Sequence, residues 1–469
     1  MTENTVVTAA AHRFDPTILR EYDVRGVVGE TLFAADARAL GRAFGTMVRE
    51  GGGTRVALGY DGRLSSPELA EAAAEGLRAC GLEVLWIGRG PTPMLYYAVN
   101  ELDTDGGIQI TGSHNPPNYN GFKMMLGKRA FYGSDIQRLG EIAAEGAFAE
   151  GEGGLSDVAV LDDYVARILQ DIESDISGMK VAWDPGNGAA GEALSRLLAT
   201  LPGQHTVING EIDGTFPNHH PDPTVPENLE QLREIVTAQG CDLGIAFDGD
   251  GDRIGILDGQ GRILWGDQIM VLLARDILKT RPGAPIIADV KASQVLFDEI
   301  ARAGGRPIMW KTGHSLIKSK MLEEQAPLAG EMSAHIFFAD RWYGFDDALY
   351  AAVRLLDILG RRGETLAEFR DSLPKVVNTP EIRFPCSEAR KFAAIAEVKQ
   401  RLADTGAQVV DTDGVRVNTE DGWWLLRASN TQDVLVARCE ARDDAGLDRL
   451  KALLREQLEK SGVDAPLDM

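Results

Sequence analysis

Between residues 35 and 150, short apolar runs alternate with longer segments in which apolar residues recur at helical spacing. The apolar runs predict β-strands at 55–60, 83–88 and 106–111. Helices are predicted at 35–50 and 66–80, and the second begins well, with Ser66 as its cap and Pro67 in its first turn. This alternation of strands and helices implies a largely parallel sheet covered by helices.

The same alternation restarts twice and then gives way to another pattern. Strands are predicted at 178–184 and 242–248 in the second stretch, and at 284–290 and 306–310 in the third. After about residue 373, strand-like runs lie close together, with helices at 387–403 and 443–460, which is typical of an antiparallel α+β unit. The predicted fold class is therefore α/β, with three related α/β domains of mixed sheets followed by a C-terminal α+β domain. The predicted domains span residues 1–153, 154–258, 259–372 and 373–469.

The composition is typical of a soluble globular protein, with 44% apolar and 25% charged residues over 469 positions. The net charge of −23 argues against nucleic acid or an anionic membrane as a partner, because both would repel such a surface. No secretory signal and no apolar stretch of membrane-spanning length is visible. The four cysteines show no CxxC spacing, as expected for free thiols in a reducing compartment. We therefore expect a cytoplasmic protein, and the charge is compatible with a small phosphorylated ligand.

Three aspartates, Asp248, Asp250 and Asp252, alternate with glycines directly after a predicted apolar strand. Three carboxylates this close repel one another unless a cation lies among them, and hard oxygen ligands suit Mg²⁺. A Ca²⁺-binding EF-hand loop would need a glutamate at its twelfth position, which is Gly259 here. The alternative is a polar turn after a buried strand. We favour a metal site, with Arg253 beside it as a phosphate ligand.

The segment TGSHNP, residues 111–116, predicts a turn that leaves the hydroxyl of Ser113 exposed after an apolar strand, with His114 at its side. A serine hydroxyl is a weak nucleophile and needs a partner or a metal for covalent chemistry. Lys123, ten residues beyond, could supply a cation near a transferred group. The alternative is a tight turn in which Ser113 only caps the next element.

Two later segments suit the recognition of a phosphorylated sugar. In GEMSAHIF, residues 330–337, an extended backbone would place Glu331, Ser333 and His335 on one side, where they could bind sugar hydroxyls. In RASNT, Arg427 lies beside short donors in a turn between two strands, which suits a phosphate dianion. The alternatives are an exposed edge strand and an ordinary hairpin turn.

With these segments in this order, the chain resembles the α-D-phosphohexomutase superfamily, and most closely its bacterial phosphomannomutase/phosphoglucomutase branch. The resemblance covers essentially the whole chain and rests on six motifs: YDVRG, TGSHNP, DGDGDR, KTGHSLIK, GEMSAH and RASNT. It implies four domains around a central cleft, with Ser113 as a phosphoserine carrier. Ser113, Asp248, Asp250 and Asp252 would bind Mg²⁺.

The resemblance also assigns roles to the remaining residues. The catalytic group would comprise Ser113, His114, Lys123, Arg253, His335 and Arg25. The substrate-binding group would comprise Tyr22, Lys291, His314, Glu331, Ser333, Arg427, Ser429, Asn430 and Thr431. One departure is visible, since Ala334 stands where the family usually has glycine, and its methyl group could tighten the sugar-binding loop.

The reaction implied is interconversion of hexose 1-phosphate and 6-phosphate, of mannose or glucose or both, through phosphoserine and a bound hexose 1,6-bisphosphate. Lys123 and His335 are both candidates for the general base, and the sequence does not decide between them. A phosphoglucosamine mutase would present a different sugar loop, a Mg²⁺-dependent phosphatase would not need a second phosphate clamp, and a non-enzymatic sugar-phosphate-binding protein would not need the serine. We expect a small-molecule sugar phosphate as partner, no nucleic acid or membrane, and a monomer or weak dimer.

Overall fold

The computed structural model describes residues 10–403, 406–430 and 432–464. They form two units: the first contains the residues up to 269 together with 333–369, and the second contains 270–332 together with the chain from 370 onwards.

The first unit begins with a seven-stranded sheet. Its elements are β1 (Val24–Val27), α1 (Ala34–Glu50), β2 (Arg55–Tyr60), α2 (Ser66–Arg78), β3 (Glu83–Arg89), α3 (Thr92–Glu101), β4 (Gly106–Ile110), β5 (Tyr119–Leu126), β6 (Arg129–Ala130), α4 (Ser134–Glu145) and β7 (Leu155–Asp157). The strand order is β1-β5-β4-β2-β3-β7, with β6 paired to β5. Strands β4, β2, β3 and β7 are parallel, whereas β5 runs antiparallel to both of its neighbours. Residues 111–118, between the antiparallel strands β4 and β5, therefore lie at the carboxyl edge of the parallel strands.

Two glycines allow α1 and α2 to pack closely against each other. A Cβ on Gly41 would collide with the Ala73 carbonyl, and one on Gly76 would collide with the Arg38 carbonyl. The start of α2 differs slightly from the prediction, because the residue before the helix is Ser65, and the Ser66 hydroxyl instead donates to Asp61 Oδ1 at 2.5 Å. The hydroxyl of Ser66 therefore anchors the loop that enters α2.

A second sheet in the first unit carries the aspartate motif. Its elements are α5 (Leu161–Leu169), β8 (Lys180–Asp184), α6 (Ala190–Leu198), β9 (Gln204–Val207), a 3₁₀ turn (Pro226–Leu229), α7 (Glu230–Gln239), β10 (Leu243–Phe247), β11 (Ile254–Asp258) and β12 (Ile263–Leu264). Helix α8 (Gly266–Thr280) follows, and its residues from Met270 onwards belong to the second unit. The order is β12-β11-β10-β8-β9. Strands β10, β8 and β9 are parallel, and β10 forms an antiparallel hairpin with β11. Residues 248–253 form the turn of this hairpin.

The chain then enters the second unit and returns to the first. The elements are β13 (Pro285–Asp289), α9 (Gln294–Arg302), β14 (Arg306–Trp310), α10 (His314–Glu324) and β15 (Leu328–Gly330) in the second unit, and β16 (Ile336–Phe338), α11 (Ala348–Arg361) and α12 (Leu366–Ser372) after it. In the second unit β13 lies between β14 and β15 and is parallel to both. The carboxyl end of β13 thus lies between those of the two parallel strands β14 and β15.

The C-terminal sheet, in the second unit, is antiparallel. Its elements are β17 (Val377–Asn378), β18 (Ile382–Pro385), α13 (Glu388–Ala403), β19 (Gln408–Val410), β20 (Val415–Asn418), β21 (Gly422–Ala428), β22 (Val434–Ala441) and α14 (Asp444–Lys460). The order is β17-β22-β21-β20-β19, with β18 paired to β22. Helices α13 and α14 contribute Val398, Leu450 and Leu454 to the core of this sheet. Across the part of the chain that the structure describes, no helix is both long and apolar enough to cross a membrane.

Candidate active site

The aspartate loop, residues 248–252, follows β10 and brings three carboxylates together in the first unit. Asp248, Asp250 and Asp252 are completely buried, and one ligand oxygen from each lies within 4.8 Å of the others. Gly251 has a φ of 75°, which a residue with a side chain rarely adopts, so this glycine allows the loop to turn. Asp250 Oδ1 is buried and accepts no hydrogen bond from any described residue. Buried carboxylates with an unused oxygen fit a hard divalent cation.

Ser113 lies directly against the aspartate loop, as predicted. Its Oγ donates to Asp248 Oδ2 at 3.0 Å and lies 3.1 Å from His114 Nδ1. The side chain was expected to be exposed, but Ser113 is only 2% exposed, because these neighbours cover it. Its amide donates to Thr111 Oγ1 at 2.8 Å. The hydroxyl is therefore held at a defined point beside the carboxylates.

The loop carrying Ser113 and the aspartate loop approach each other so closely that a side chain would not fit between them. A Cβ on Gly249 would collide with the Ser113 carbonyl oxygen and lie 3.3 Å from Pro221 Cγ. The glycine in the aspartate motif thus permits the contact between serine and metal ligands.

Lys123, on β5, places its ammonium group against two of these carboxylates. Its Nζ lies 2.8 Å from Asp250 Oδ2 and also contacts Asp252 Oδ2. Burial would lower the pKa of Lys123, but the carboxylates outweigh it and raise this pKa well above its usual value. The pKa of Asp248 is raised by burial and by its two neighbouring carboxylates. Lys123 is therefore a fixed positive charge among the aspartates.

Further basic side chains lie around His114. Arg25, on β1, donates from Nη1 to Asn115 Oδ1 at 3.0 Å and from Nη2 to Asp23 at 2.5 Å. Burial, together with Arg253, Arg25 and Lys123, lowers the pKa of His114 well below its usual value. Tyr22 precedes β1 and is half-buried. Arg25, Arg253 and Lys123 thus place positive charge around His114, the neighbour of the serine.

His335 joins the same cluster from the segment before β16. Its Nε2 lies 3.2 Å from Asp252 Oδ1 and 3.3 Å from Arg253 Nε, and its Nδ1 lies 3.4 Å from Ser333 Oγ. Arg253 and His335 also form a single antiparallel bridge. The imidazole is 4% exposed and is therefore a buried ring at the edge of the metal ligands.

The expectation of an extended backbone through residues 331–335 is wrong. The segment between β15 and β16 forms a turn, and Ala334 has a φ of 69°. Strict alternation of side chains does not hold through a residue in this conformation. The Ala334 carbonyl accepts the amide of Ile254 at 3.1 Å, and this bond ties the turn to β11.

In the second unit, Lys291, His314 and Glu331 follow the carboxyl ends of three neighbouring parallel strands, β13, β14 and β15. Glu331 is buried and accepts the amide of Gly313 at 2.6 Å, directly before His314 at the start of α10. Lys291 Nζ lies 2.9 Å from Glu381 Oε2, and this ammonium, with Arg383, lowers the pKa of Glu381 to about 2 against the effect of burial. These loops therefore place a carboxylate, an imidazole and an ammonium on one edge of one sheet.

The RASNT segment lies in the C-terminal sheet of the second unit. Arg427 belongs to strand β21 and not to the turn, which begins only after Ala428. Its Nε donates to Asp413 Oδ2 at 2.9 Å, and the side chain of Ser429 accepts the amide of Gln432 at 3.2 Å. Asn430 is half-buried, and Thr431 lies outside the described residues.

Several buried residues at these loops were not predicted from the sequence. Asp289, at the end of β13, accepts the amide of Met332 at 3.1 Å and the hydroxyl of Thr312 at 3.0 Å. Thr92 donates to Asp250 Oδ2 at 2.5 Å, and Arg63 is fully buried beneath the serine segment. A signal for Asp289 exists in the sequence, since it ends an apolar strand as Asp184 does. Nothing in the sequence around Arg63 or Thr92 indicates their contacts.

The fold and this site define a class of protein: an α/β protein in which a serine hydroxyl lies beside three buried carboxylates that could hold a metal ion. Profiles of phosphoglucomutase/phosphomannomutase α/β/α domains I, II and III match residues 16–150, 162–261 and 265–377, and the profile of the C-terminal domain matches 381–457. The chain therefore belongs to the phosphoglucomutase/phosphomannomutase family and is an isomerase of the phosphohexomutase class.

Individual relatives are similar over nearly their full length. A phosphomannomutase/phosphoglucomutase of Pseudomonas aeruginosa is 46% identical over 98% of this chain and 99% of its own. A phosphoglucomutase of Neisseria meningitidis is 42% identical over 95% of this chain and 97% of its own. The crystal structure of a family protein from Burkholderia thailandensis is 44% identical, with a TM-score of 0.91 over 97% of this chain and 99% of that one.

Proposed function

We propose that this phosphohexomutase interconverts the 1- and 6-phosphates of mannose, glucose or both through phospho-Ser113 and a bound hexose 1,6-bisphosphate. The observation that carries the proposal is the hydrogen bond from Ser113 Oγ to Asp248 Oδ2 within a buried aspartate triad. A phosphoryl carrier must lie beside the groups that neutralise the transferring charge, and this serine does so.

Asp248, Asp250 and Asp252, with an oxygen of phospho-Ser113, would hold Mg²⁺. The unused Oδ1 of Asp250 and the burial of all three carboxylates support this assignment. When bound, the ion would offset negative charge on the phosphoryl group. Lys123 and Arg253 would stabilise the charge that spreads over the phosphoryl oxygens during transfer.

We assign the general base to His335 and not to Lys123. Lys123 is held as an ammonium by two carboxylates and has no lone pair to accept a proton. His335 is buried beside Arg253 and the aspartate loop. In the forward step the bond from phosphorus to Ser113 Oγ breaks, a bond to the sugar oxygen forms, and the hydroxyl proton passes to the imidazole. In the return step the Ser113 oxygen, which kept the electron pair of the broken bond, attacks the other phosphorus of the bisphosphate. The bond from that phosphorus to the sugar oxygen breaks, and this oxygen takes the proton back from the imidazolium to give the product hydroxyl.

The remaining residues would bind the sugar phosphate. Glu331 and Ser333 would contact the sugar hydroxyls, and Arg427, Ser429, Asn430 and Thr431 would hold the phosphate that is not transferred. Tyr22, Arg25, His114, Lys291 and His314 would line the path of the substrate. A guanidinium with adjacent short donors accepts either phosphate of the bisphosphate, because it recognises charge and geometry and not one end of the sugar.

We also propose four domains with three boundaries, near residues 153, 258 and 372, which lie close to the limits of the matched family domains. Cytoplasmic location and a monomer or weak dimer stay predictions.

The test is to purify the protein and measure its intact mass and the peptide that carries phosphate. We expect phosphate on Ser113, loss of it in Ser113→Ala, and loss of bisphosphate-dependent turnover in the same variant. Ser177→Ala, an exposed serine in the same unit, serves as control and should behave like wild type. Near-normal turnover by Ser113→Ala would refute covalent transfer.

Turnover with mannose 1-phosphate, glucose 1-phosphate and glucosamine 1-phosphate ranks the substrates. Release of inorganic phosphate in place of the isomeric sugar phosphate would instead indicate a phosphatase.

A further inference from the structure

Ser113 has a backbone conformation that needs support from outside its own loop. Its φ is 48°, in the left-handed region that is unfavourable for an L-residue. The proposed mechanism loads and unloads this residue in every turnover while its Oγ stays against Asp248. The support comes from a group that touches the serine loop, residues 111–118.

Arg63, from the segment between β2 and α2, provides that support. Its Nη2 donates to the carbonyls of Ser113 at 2.7 Å and Asn115 at 2.6 Å, and its Nη1 donates to those of Pro116 at 2.6 Å and Tyr119 at 3.0 Å. One guanidinium thus binds four carbonyls of the serine loop and of the strand that follows it. Only arginine offers enough donors in one rigid plane for this arrangement.

The guanidinium is itself fixed in place. Its side chain is 0% exposed, and its Nε lies 3.2 Å from Asp61 Oδ2, whose carboxylate also accepts the amide of Gly112 at 3.1 Å. A Cβ on Gly112 would collide with the guanidinium, and the Phe216 ring centroid lies 5.1 Å from its Cζ. Asp61 and Arg63 together therefore hold the serine loop as one hydrogen-bonded unit.

A buried arginine is a costly means of stabilising a loop, since desolvation of the charge offsets much of the gain. The four carbonyl contacts all converge on the segment that presents Ser113, and none reaches the apolar core. We propose that Arg63 is a positioning residue for the phosphoryl carrier, which holds Ser113 Oγ against the aspartate loop through the strained serine loop. This inference rests on the proposed function of Ser113.

The position predicts how loss of Arg63 affects kinetics. A serine loop that relaxes would shift Ser113 Oγ relative to Asp248, and a displacement of about 1 Å can lower a rate about a hundredfold. The groups proposed to bind the sugar, such as Glu331 and Arg427, belong to the second unit, whereas Arg63 and its acceptors belong to the first. The kcat should therefore fall while the KM for the sugar phosphate stays unchanged.

The experiment compares Arg63→Lys, which keeps the charge but not the fork, with Arg63→Met, which keeps only the volume. Arg354→Met is the matched control, because Arg354 is also buried, in the same unit, and pairs with Asp340 at 2.8 Å. For each variant, kcat and KM for glucose 1-phosphate, the rate of Ser113 phosphorylation by glucose 1,6-bisphosphate, and the thermal midpoint are measured. We expect kcat and the rate of Ser113 phosphorylation to fall in both Arg63 variants. Arg354→Met should lose stability but keep kcat per folded molecule.

Normal kcat in Arg63→Lys would overturn the inference. So would a loss of kcat per folded molecule in Arg354→Met as large as that of the Arg63 variants. If the Arg63 variants do not fold, Phe216→Leu removes the ring beside the guanidinium and should lower kcat in the same direction, and an unchanged kcat would overturn the inference. The proposed function is judged separately by the wild-type protein. If wild type carries no phosphate on Ser113, the proposed function fails; if it does and the Arg63 variants are normal, only this inference fails.

Discussion

Two non-glycine residues in the proposed site, Ser113 and Ala334, have left-handed backbones, with φ values of 48° and 69°. A conformation of this kind costs of order 1–3 kcal/mol and persists where the surrounding structure fixes it. Ser113 is fixed by the hydrogen bond of its amide to Thr111 and by Arg63, and Ala334 by the bond of its carbonyl to the Ile254 amide. The strain therefore lies where the chain presents the proposed phosphoryl carrier and the proposed general base.

The position of Ala334 leads to a prediction about stability. Ala334→Gly should change the free energy of unfolding by less than about 1 kcal/mol, because relief of the left-handed strain is offset by the greater freedom of glycine in the unfolded chain. Ala334→Val places a β-branched residue at positive φ and should destabilise by more than about 1 kcal/mol. Urea denaturation of both variants measures this difference. Equal stability of the valine and glycine variants would show that the backbone strain has no energetic consequence.

At the residue scale, the sequence predicts contacts between residues that are close along the chain or that belong to recognisable motifs. The aspartate triad and its neighbour Ser113 follow from local patterns at strand ends. Arg63 does not, since its four acceptors lie 50–56 residues further along the chain and are brought to it only by the sheet. The turn at Ala334 was missed because alanine gives no sign of a positive φ, whereas glycine would have done so.

At the scale of elements, an aspartate at the end of a parallel strand organises the loops in each of three sheets. Asp61 follows β2 and accepts the Gly112 amide, Asp184 ends β8 and accepts the Gly186 amide at 2.9 Å, and Asp289 ends β13 and accepts the Met332 amide. All three are buried. A carboxylate at this place satisfies the backbone donors of a loop that crosses the strand end, so the repeated units share a device for shaping site loops.

The close contact between the aspartate and serine loops can be tested at Gly249. A Cβ there would collide with the Ser113 carbonyl, which is backbone and cannot rotate away. Gly249→Ala should therefore separate the two loops and lower kcat by tenfold to about a hundredfold. Gly178→Ala is the control, because nothing lies within 4 Å of a Cβ at that glycine. A Gly249→Ala enzyme as fast as the control would mean that the loops tolerate separation.

Helix α11 begins next to the aspartate loop and carries a pH-dependent cap. Asp347 accepts the amide of Tyr350 and the hydroxyl of Tyr164, each at 2.9 Å, and the Ala348 amide donates to the Gly251 carbonyl at 3.2 Å. Burial raises the pKa of Asp347 to about 7, and Asp346 adds to this effect. The folded protein thus keeps a proton on Asp347 at pH values where the unfolded chain has lost it.

The sign of the pH effect follows from that difference. Where the folded state binds more protons than the unfolded state, stability falls as pH rises, here between about pH 4 and 7. Asp347→Asn keeps the cap oxygen but removes the titration, and should flatten this fall by about 2 to 3 kcal/mol between pH 5 and 8. Thermal midpoints of wild type and Asp347→Asn across this range measure it. Parallel pH profiles for the two proteins would contradict the assignment.

At the scale of the whole molecule, the parallel strands and the C-terminal unit were predicted well. Strands β2 and β14 have the predicted limits, and helices α13 and α14 begin within one residue of their predicted starts. The antiparallel strands β5 and β11 were not predicted, because each only completes a short hairpin after the site loop. Their apolar residues directly follow the functional motifs and read as part of them, so they show no separate periodicity that would predict a strand.

The two units carry different parts of the proposed chemistry, and this division predicts independent binding of metal and sugar phosphate. The aspartate triad belongs to the first unit, and Arg427 with its Asp413 partner belongs to the second. In calorimetric titrations, Asp248→Asn should weaken Mg²⁺ binding at least tenfold, since it removes a charged ligand. The control is Asp258→Asn, a change at a buried aspartate of the same unit outside the triad, which should not weaken it.

Arg427→Ala should weaken glucose 6-phosphate binding by about 10- to 100-fold, the cost of a charge-assisted hydrogen bond, and leave Mg²⁺ affinity unchanged. If Arg427→Ala lowered the Mg²⁺ affinity, or left that for glucose 6-phosphate intact, the phosphate clamp would have to lie elsewhere in the chain.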